Sequence, residues 1–159
     1  MISQEYRTVV CTPPFDVSSA STHTAFNMGK AHKATIFFVC GAMNDGDTRV
    51  TLRCGATSST DTNVFTAGDT IYMKATEADV EAASGDLLTA DVALESSQAY
   101  FLLPTTDKRL YALELDASVI PAGKPWVKVQ IGNEGNTANM VCAFAILQMR
   151  YSSDGTVIG

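Results

Sequence analysis

Residues 34–56 read ATIFFVCGAMNDGDTRVTLRCGA, and this stretch decides the fold class. Its first arm, Thr35 to Cys40, is almost wholly apolar and rich in β-branched and aromatic residues. Its second arm alternates, with Val50, Leu52 and Cys54 on one face and Arg49, Thr51 and Arg53 on the other. That is the period of a half-buried strand. Asp45 and Gly46 between the arms tolerate the positive φ of a type I′ turn, so the pattern predicts a β-hairpin. In that register Cys40 faces Thr51 and Cys54 faces Phe37, and the two cysteines cannot bridge without a slip.

Strand signals continue outward from this unit, at 69–75 (DTIYMKA), 98–103 (QAYFLL), 108–116 (KRLYALELD), 125–132 (PWVKVQIG) and 138–151 (ANMVCAFAILQMRY). In 125–132, Val127, Val129 and Ile131 alternate with Trp126, Lys128 and Gln130, which predicts one buried and one open face. The last stretch has no such alternation. Met140, Cys142, Phe144 and Ile146 occupy one parity, Val141, Ala143, Ala145 and Leu147 the other, and all are apolar. The loop GNEGNTAN before it favours a final hairpin over a helix. A strand apolar on both faces is either covered on each side or meets a partner chain on one.

Residues 1–33 hold RTVVC, a Pro13-Pro14 break and the Ser/Thr-rich SSASTHTAFN. They read as one short strand followed by a long arm or loop, ahead of a sandwich over 34–159 in a single folding unit. Thr76 and Asp79 have capping-box spacing before Val80 and Ala83, with Gly85 as a stop, which allows at most one short helix. Short strands at regular intervals predict an all-β, single-domain β-sandwich. Jelly-roll topology is favoured over an immunoglobulin arrangement, because Trp126 stands too near Cys142 to sit between bridged cysteines.

Composition narrows the function. The chain has 159 residues, 46% hydrophobic and 18% charged, with 17 acids against 11 bases. A net charge of −6 argues against a nucleic-acid partner held by phosphate neutralisation. No apolar run is long enough to span a membrane, and MISQEYRTVV has no signal-peptide pattern. Cys11, Cys40, Cys54 and Cys142 form no C-x-x-C pair and lie in or beside apolar runs, as small buried hydrophobes in a reducing compartment do. The low charge fraction implies surface that faces another protein, and it is concentrated in the C-terminal sheet, where a subunit interface is expected.

Chemistry is sparse. His23 and His32 are nine residues apart without a carboxylate cluster, so neither a catalytic pair nor a metal site is expected, and no cofactor motif is present. NDGD at 44–47 lacks the alternating acids and closing Glu of a calcium loop. Neither a nucleophile elbow nor a Gly-rich phosphate loop occurs. The substrate motif and aromatic-bearing glycine tail of trimeric nucleotide hydrolases are likewise missing, so no enzyme is expected. Trp126, beside Lys128 and Gln130, can cover the sheet edge, anchor a protein or stack on a sugar ring.

One resemblance adds to this reading. Residues 108–155 resemble the ending of small virion proteins of tailed bacteriophages. The likeness runs through Tyr111, Leu113, Leu115 and Asp116, then Trp126, Val127, Val129 and Ile131, then Ile146, Leu147, Arg150 and Tyr151. The segment 34–56 is similar to their central part. The resemblance implies a capsid decoration, or cement, protein: a homotrimer on the outer head surface that clamps neighbouring major capsid protein subunits, with no nucleic acid or membrane partner. The expected contact residues are Tyr6, Phe15 and Phe26 in the arm, and Trp126, Lys128, Val141 and Arg150 in the C-terminal sheet. A carbohydrate-binding or tail-associated sandwich module is the alternative.

Overall fold

Burial alternates with period two along the long strands, whose backbone hydrogen bonds are met by neighbouring strands. The computed structural model describes residues 5–19, 22–44, 48–59, 63–64, 72–76, 80–82, 88–91, 100–103, 108–133, 138–150 and 157–158. Eleven strands occur among them. They are β1 (Tyr6–Asp16), β2 (Ala25–Asn27), β3 (Ala31–Met43), β4 (Thr48–Gly55), β5 (Asn63–Val64), β6 (Tyr72–Thr76), β7 (Leu88–Asp91), β8 (Phe101–Leu103), β9 (Leu110–Asp116), β10 (Trp126–Asn133) and β11 (Asn139–Met149). A six-stranded antiparallel sheet, β1-β11-β3-β9-β6-β7, packs on a five-stranded one, β2-β10-β4-β5 with β8 also on β4. The protein is an all-β sandwich.

From β1 onward, helical structure among the described residues is confined to two 3-10 turns, Met28–Lys30 and Ala117–Val119. Asn27 and Asp116 cap them, each side-chain oxygen accepting from the amide two residues on, at 2.8 Å. The predicted cap residue Thr76 instead ends β6, where its hydroxyl accepts from the Leu110 amide at 3.3 Å. Asp79, Ala83 and Gly85 lie outside the described residues.

Neither predicted hairpin forms. β3 pairs with β11 and β9 in the larger sheet, whereas β4 pairs with β10, β5 and β8 in the smaller. β10 and β11 are likewise in different sheets. Each pair is joined by a corner that carries the chain from one sheet to the other. Apart from the shifted end pairs Asn139–Met43 and Met149–Ala31, the numbers of residues paired between β3 and β11 and between β4 and β10 add to 181, as for Phe38 with Ala143 and Leu52 with Val129. β3 with β11 and β4 with β10 therefore run antiparallel in a common register, the first pair in one sheet and the second in the other. The corners sort strands by pattern. β3 and β11, apolar on both faces, lie together, and so do the alternating β4 and β10.

Asn139 fastens the corner. Fully buried, it accepts from the Val17 amide through its backbone oxygen at 2.9 Å and from the Asn44 amide through Oδ1 at 2.8 Å. Its Nδ2 donates to Thr48 Oγ1 at 3.2 Å. One side chain and its backbone thus tie the segment after β1, the end of β3 and the start of β4 to the first residue of β11. A buried amide is tolerated because its hydrogen-bonding capacity is used.

The N-terminal region also departs from expectation. The strand does not stop before Pro13-Pro14 but runs from Tyr6 to Asp16 along β11, and Ala25–Asn27 pairs with β10. Proline cannot donate to a ladder and is tolerated on an edge strand or at a bulge. β1 is an edge strand, and its register shifts between Val10 and Thr12 and again between Thr12 and Phe15, bracketing the prolines.

The core lies between the sheets. Val9, Ala145, Ile36, Leu113 and Met73 form one inward row across β1, β11, β3, β9 and β6. Val50, Leu52, Val127 and Val129 of the smaller sheet belong to the same core. Burial of side chains of this size contributes about 1.5–3 kcal/mol each.

Candidate functional site

Each sheet has an inner face that makes the core and an outer face that does not, and the residues that could meet a partner are on the outer faces. On the larger sheet, strand alternation turns Val10, Phe144, Phe37 and Ala112 outward as one row across β1, β11, β3 and β9. Cys142, Val39 and Leu110 lie on one side of that row, Ile146 on the other. Phe37 and Phe144 are cross-strand partners, stacked with centroids 5.1 Å apart and planes at 20°. Val10 is 56% exposed and Met140 42%, while Phe37, Val39, Cys142, Phe144 and Ile146 are half-buried against one another. Among the described residues no further layer covers this face. Towards one end it turns polar, with a Lys33–Glu114 ion pair at 2.6 Å.

The smaller sheet presents the opposite chemistry. Arg49, Thr51 and Arg53 point outward from β4, and Trp126, Lys128 and Gln130 from β10. Register sets Lys128 opposite Arg53, Gln130 opposite Thr51 and Gly132 opposite Arg49. The Arg49 guanidinium lies 3.9 Å above the Tyr100 ring. A shallow groove of about 560 Å³ runs over Arg49, Thr51, Arg53, Gln130 and Gly132, with His23 at its rim. His23 Nδ1 is 3.0 Å from the Thr12 hydroxyl, and Phe15 packs edge-on against its ring. Burial, then the charge of Lys128, pushes the His23 pKa below the usual imidazole value. His23 is therefore neutral at pH 7.

The seven expected contact residues divide among these surfaces. Tyr6, 38% exposed, shares the outer face of the larger sheet with Val10. Trp126 and Lys128 are half-buried on the outer face of the smaller. Phe15 leans on the core, and Phe26 and Val141 are enclosed within it. On β11 the residues turned outward are Met140, Cys142, Phe144, Ile146 and Gln148, the parity opposite to Val141. Arg150 leaves the end of β11, its Nε donating to the Ala31 carbonyl at 2.9 Å. Sequence reasoning missed Phe37, Phe144 and the groove. The apolar parity of β11 pointed to Phe144 and the apolar run of β3 to Phe37, and only the β4–β10 register assembles the groove.

The thiols follow burial. Cys11 and Cys40 are enclosed and pushed up to about 12, Cys40 also by Cys142. Burial raises Cys54 and the outward-facing Cys142 as well. Cys40 and Cys54 are both free. Among the described residues no group of three or more His, Cys, Asp or Glu side chains is placed to hold a metal ion. No protein-family model matches the chain, and no curated protein and no solved structure is similar to it.

Proposed function

We propose that this chain is a non-enzymatic structural protein of a bacteriophage virion, which decorates the outer surface of the head as a homotrimer and bridges neighbouring major capsid protein subunits. The observation that carries this reading is the apolar outer face of the larger sheet, centred on the Phe37–Phe144 stack. A row of apolar side chains across four strands, about 14 Å wide and polar at one end, has the make-up of a subunit contact. We read the strand orders β1-β11-β3-β9 and β2-β10-β4-β8 as an eight-stranded jelly roll with β5, β6 and β7 inserted. Viral capsid domains use that architecture, although architecture by itself assigns no role. The likeness of residues 108–155 to virion proteins supplies the rest.

A decoration protein that binds the assembled shell and not its free subunits stabilises the shell by mass action. Closing a trimer requires the apolar face to meet a different surface of the next subunit, whereas packing it against itself gives a dimer. Light scattering separates these outcomes. A trimer has three times the 16.9 kDa of the chain, about 51 kDa. Co-sedimentation with empty heads then tests the shell. A strict monomer that sediments with no shell would sink the proposal.

A further inference from the structure

We propose that the groove on the outer face of the smaller sheet, formed by Arg49, Thr51 and Arg53 of β4 with Gln130 and Gly132 of β10 and His23 at its rim, is a binding site for a carboxylate-bearing oligosaccharide. Its volume of about 560 Å³ falls within the size range of ligand sites, about 300–1,000 Å³.

The charge on this face runs against the molecule as a whole. In a chain of net charge −6, three cations, Arg49, Arg53 and Lys128, share the outward positions of two neighbouring strands. None of the described outward positions of β4 and β10 is acidic. Lys128 directly faces Arg53, which concentrates positive charge at one point of this face. The Arg49 guanidinium, seated on Tyr100, is held in a fixed plane, which suits the two-point recognition of a carboxylate.

The remaining groups select a sugar over a peptide. β4 is covered on its other side by β8 and β5 near both ends and β10 by β2 over Trp126–Lys128, which leaves, among the described residues, the short Val129–Asn133 edge of β10 for strand addition. A peptide held by side chains alone draws its affinity from an apolar anchor in a pocket. The groove supplies none, since Ile131 turns its side chain into the core. It supplies a hydroxyl, an amide, an imidazole and guanidinium donors, a set that matches a ligand bearing both hydroxyl and carboxylate groups. Along β10, Trp126 stands on the same face six residues from Gly132, about 20 Å, so an extended oligosaccharide spans from the groove to an aromatic ring.

Gly132 provides the control. A Cβ there meets nothing within 4 Å and its backbone is unstrained, so a side chain enters open space above Arg49 without disturbing the fold. The test titrates the full chain with oligogalacturonate and with a sialylated oligosaccharide. Maltotetraose and an Asp/Glu-rich peptide serve as comparators, followed by calorimetry and Trp126 fluorescence. At least one acidic sugar is expected to bind, at least tenfold tighter than maltotetraose and tighter than the peptide. Arg49→Gln/Arg53→Gln and Gly132→Val are each expected to weaken it at least tenfold with the melting temperature retained. Failure of both acidic sugars to bind, equal binding of maltotetraose or the peptide, or indifference to Gly132→Val would overturn the proposal. The oligomeric mass does not bear on this outcome, so failure of the sugar site and failure of the decoration role are distinguishable.

Discussion

The two outer faces of the sandwich carry different chemistry on the same scaffold. Outward from β3 and β11 point Phe37, Val39, Cys142, Phe144 and Ile146, while outward from β4 and β10 point Arg49, Thr51, Arg53, Lys128 and Gln130. Both sheets bury an apolar inner face in one core. The fold therefore needs only the inward residues, and the outward ones are free to be chosen for what they meet. An apolar face suits a lasting contact with another copy of the chain, whereas a cationic, hydrogen-bonding face suits a ligand that exchanges with water.

The largest effect comes from undoing the corner that separates the faces. Asn139→Ala removes two side-chain hydrogen bonds and leaves the Asn44 amide and the Thr48 hydroxyl without them. A loss of about 3 kcal/mol is expected, read as a melting-temperature drop of roughly 6–12 °C. A loss within about 0.5 kcal/mol of zero shows that Asn139 does not hold the corner.

Next in size is Phe144→Lys, which places a charge at the centre of the apolar face. Self-association is expected to weaken about 30-fold or more, the effect of losing a contact worth about 2 kcal/mol. Monomer stability falls by only about 1 kcal/mol, from the lost Phe37 stack. Sedimentation that retains the wild-type mass removes this face from the interface. The groove is expected to bind its sugar unchanged in this variant, which separates the two faces functionally.

Thiol labelling sharpens the same contrast without mutation. Cys142 is the outward-facing cysteine, and Cys11, Cys40 and Cys54 are buried. Alkylation of dilute native protein is expected to modify Cys142 ahead of the other three, and to slow at concentrations that favour the oligomer. Equal rates at all concentrations place Cys142 outside the contact.

The smallest effect belongs to the polar face. Because burial and Lys128 depress the His23 pKa, the unfolded chain takes up this proton more readily than the folded one. His23 therefore contributes stability above its ordinary value of 6.5, and that contribution is lost as pH falls below it. Urea midpoints are expected to fall between about pH 7.5 and pH 5.5, and to fall less in His23→Gln. The same pH dependence in both proteins assigns it to another group.

Much of the fold is legible in the residues themselves. β4 and β10 alternate, β3 and β11 do not, and each is found as a strand within a few residues of its predicted bounds. Pairing was misread because Asp45-Gly46 fits a tight turn, although a chain crossing between sheets can be equally short and polar. The prolines at 13 and 14 misled for a related reason: they interrupt a ladder only where both edges are used, and β1 uses one. Of the site, the outward positions of Trp126 and Lys128 follow from alternation. Phe37 beside Phe144, and His23 beside Arg49 and Gln130, do not, since their partners are distant in sequence.

The sequence by itself determined the all-β class, the inward and outward parity of the regular strands, and the surplus of apolar residues along the final one. These are local properties, set by the two-residue period of a pleated backbone. Only the tertiary structure decided which strands lie together, that the supposed hairpins are corners, and that apolar and cationic residues end on opposite outer faces. Those outcomes depend on where each side chain is buried after segments some hundred residues apart have met. A local pattern cannot encode that choice, because the chain entropy lost in bringing them together is offset only by the core they form jointly.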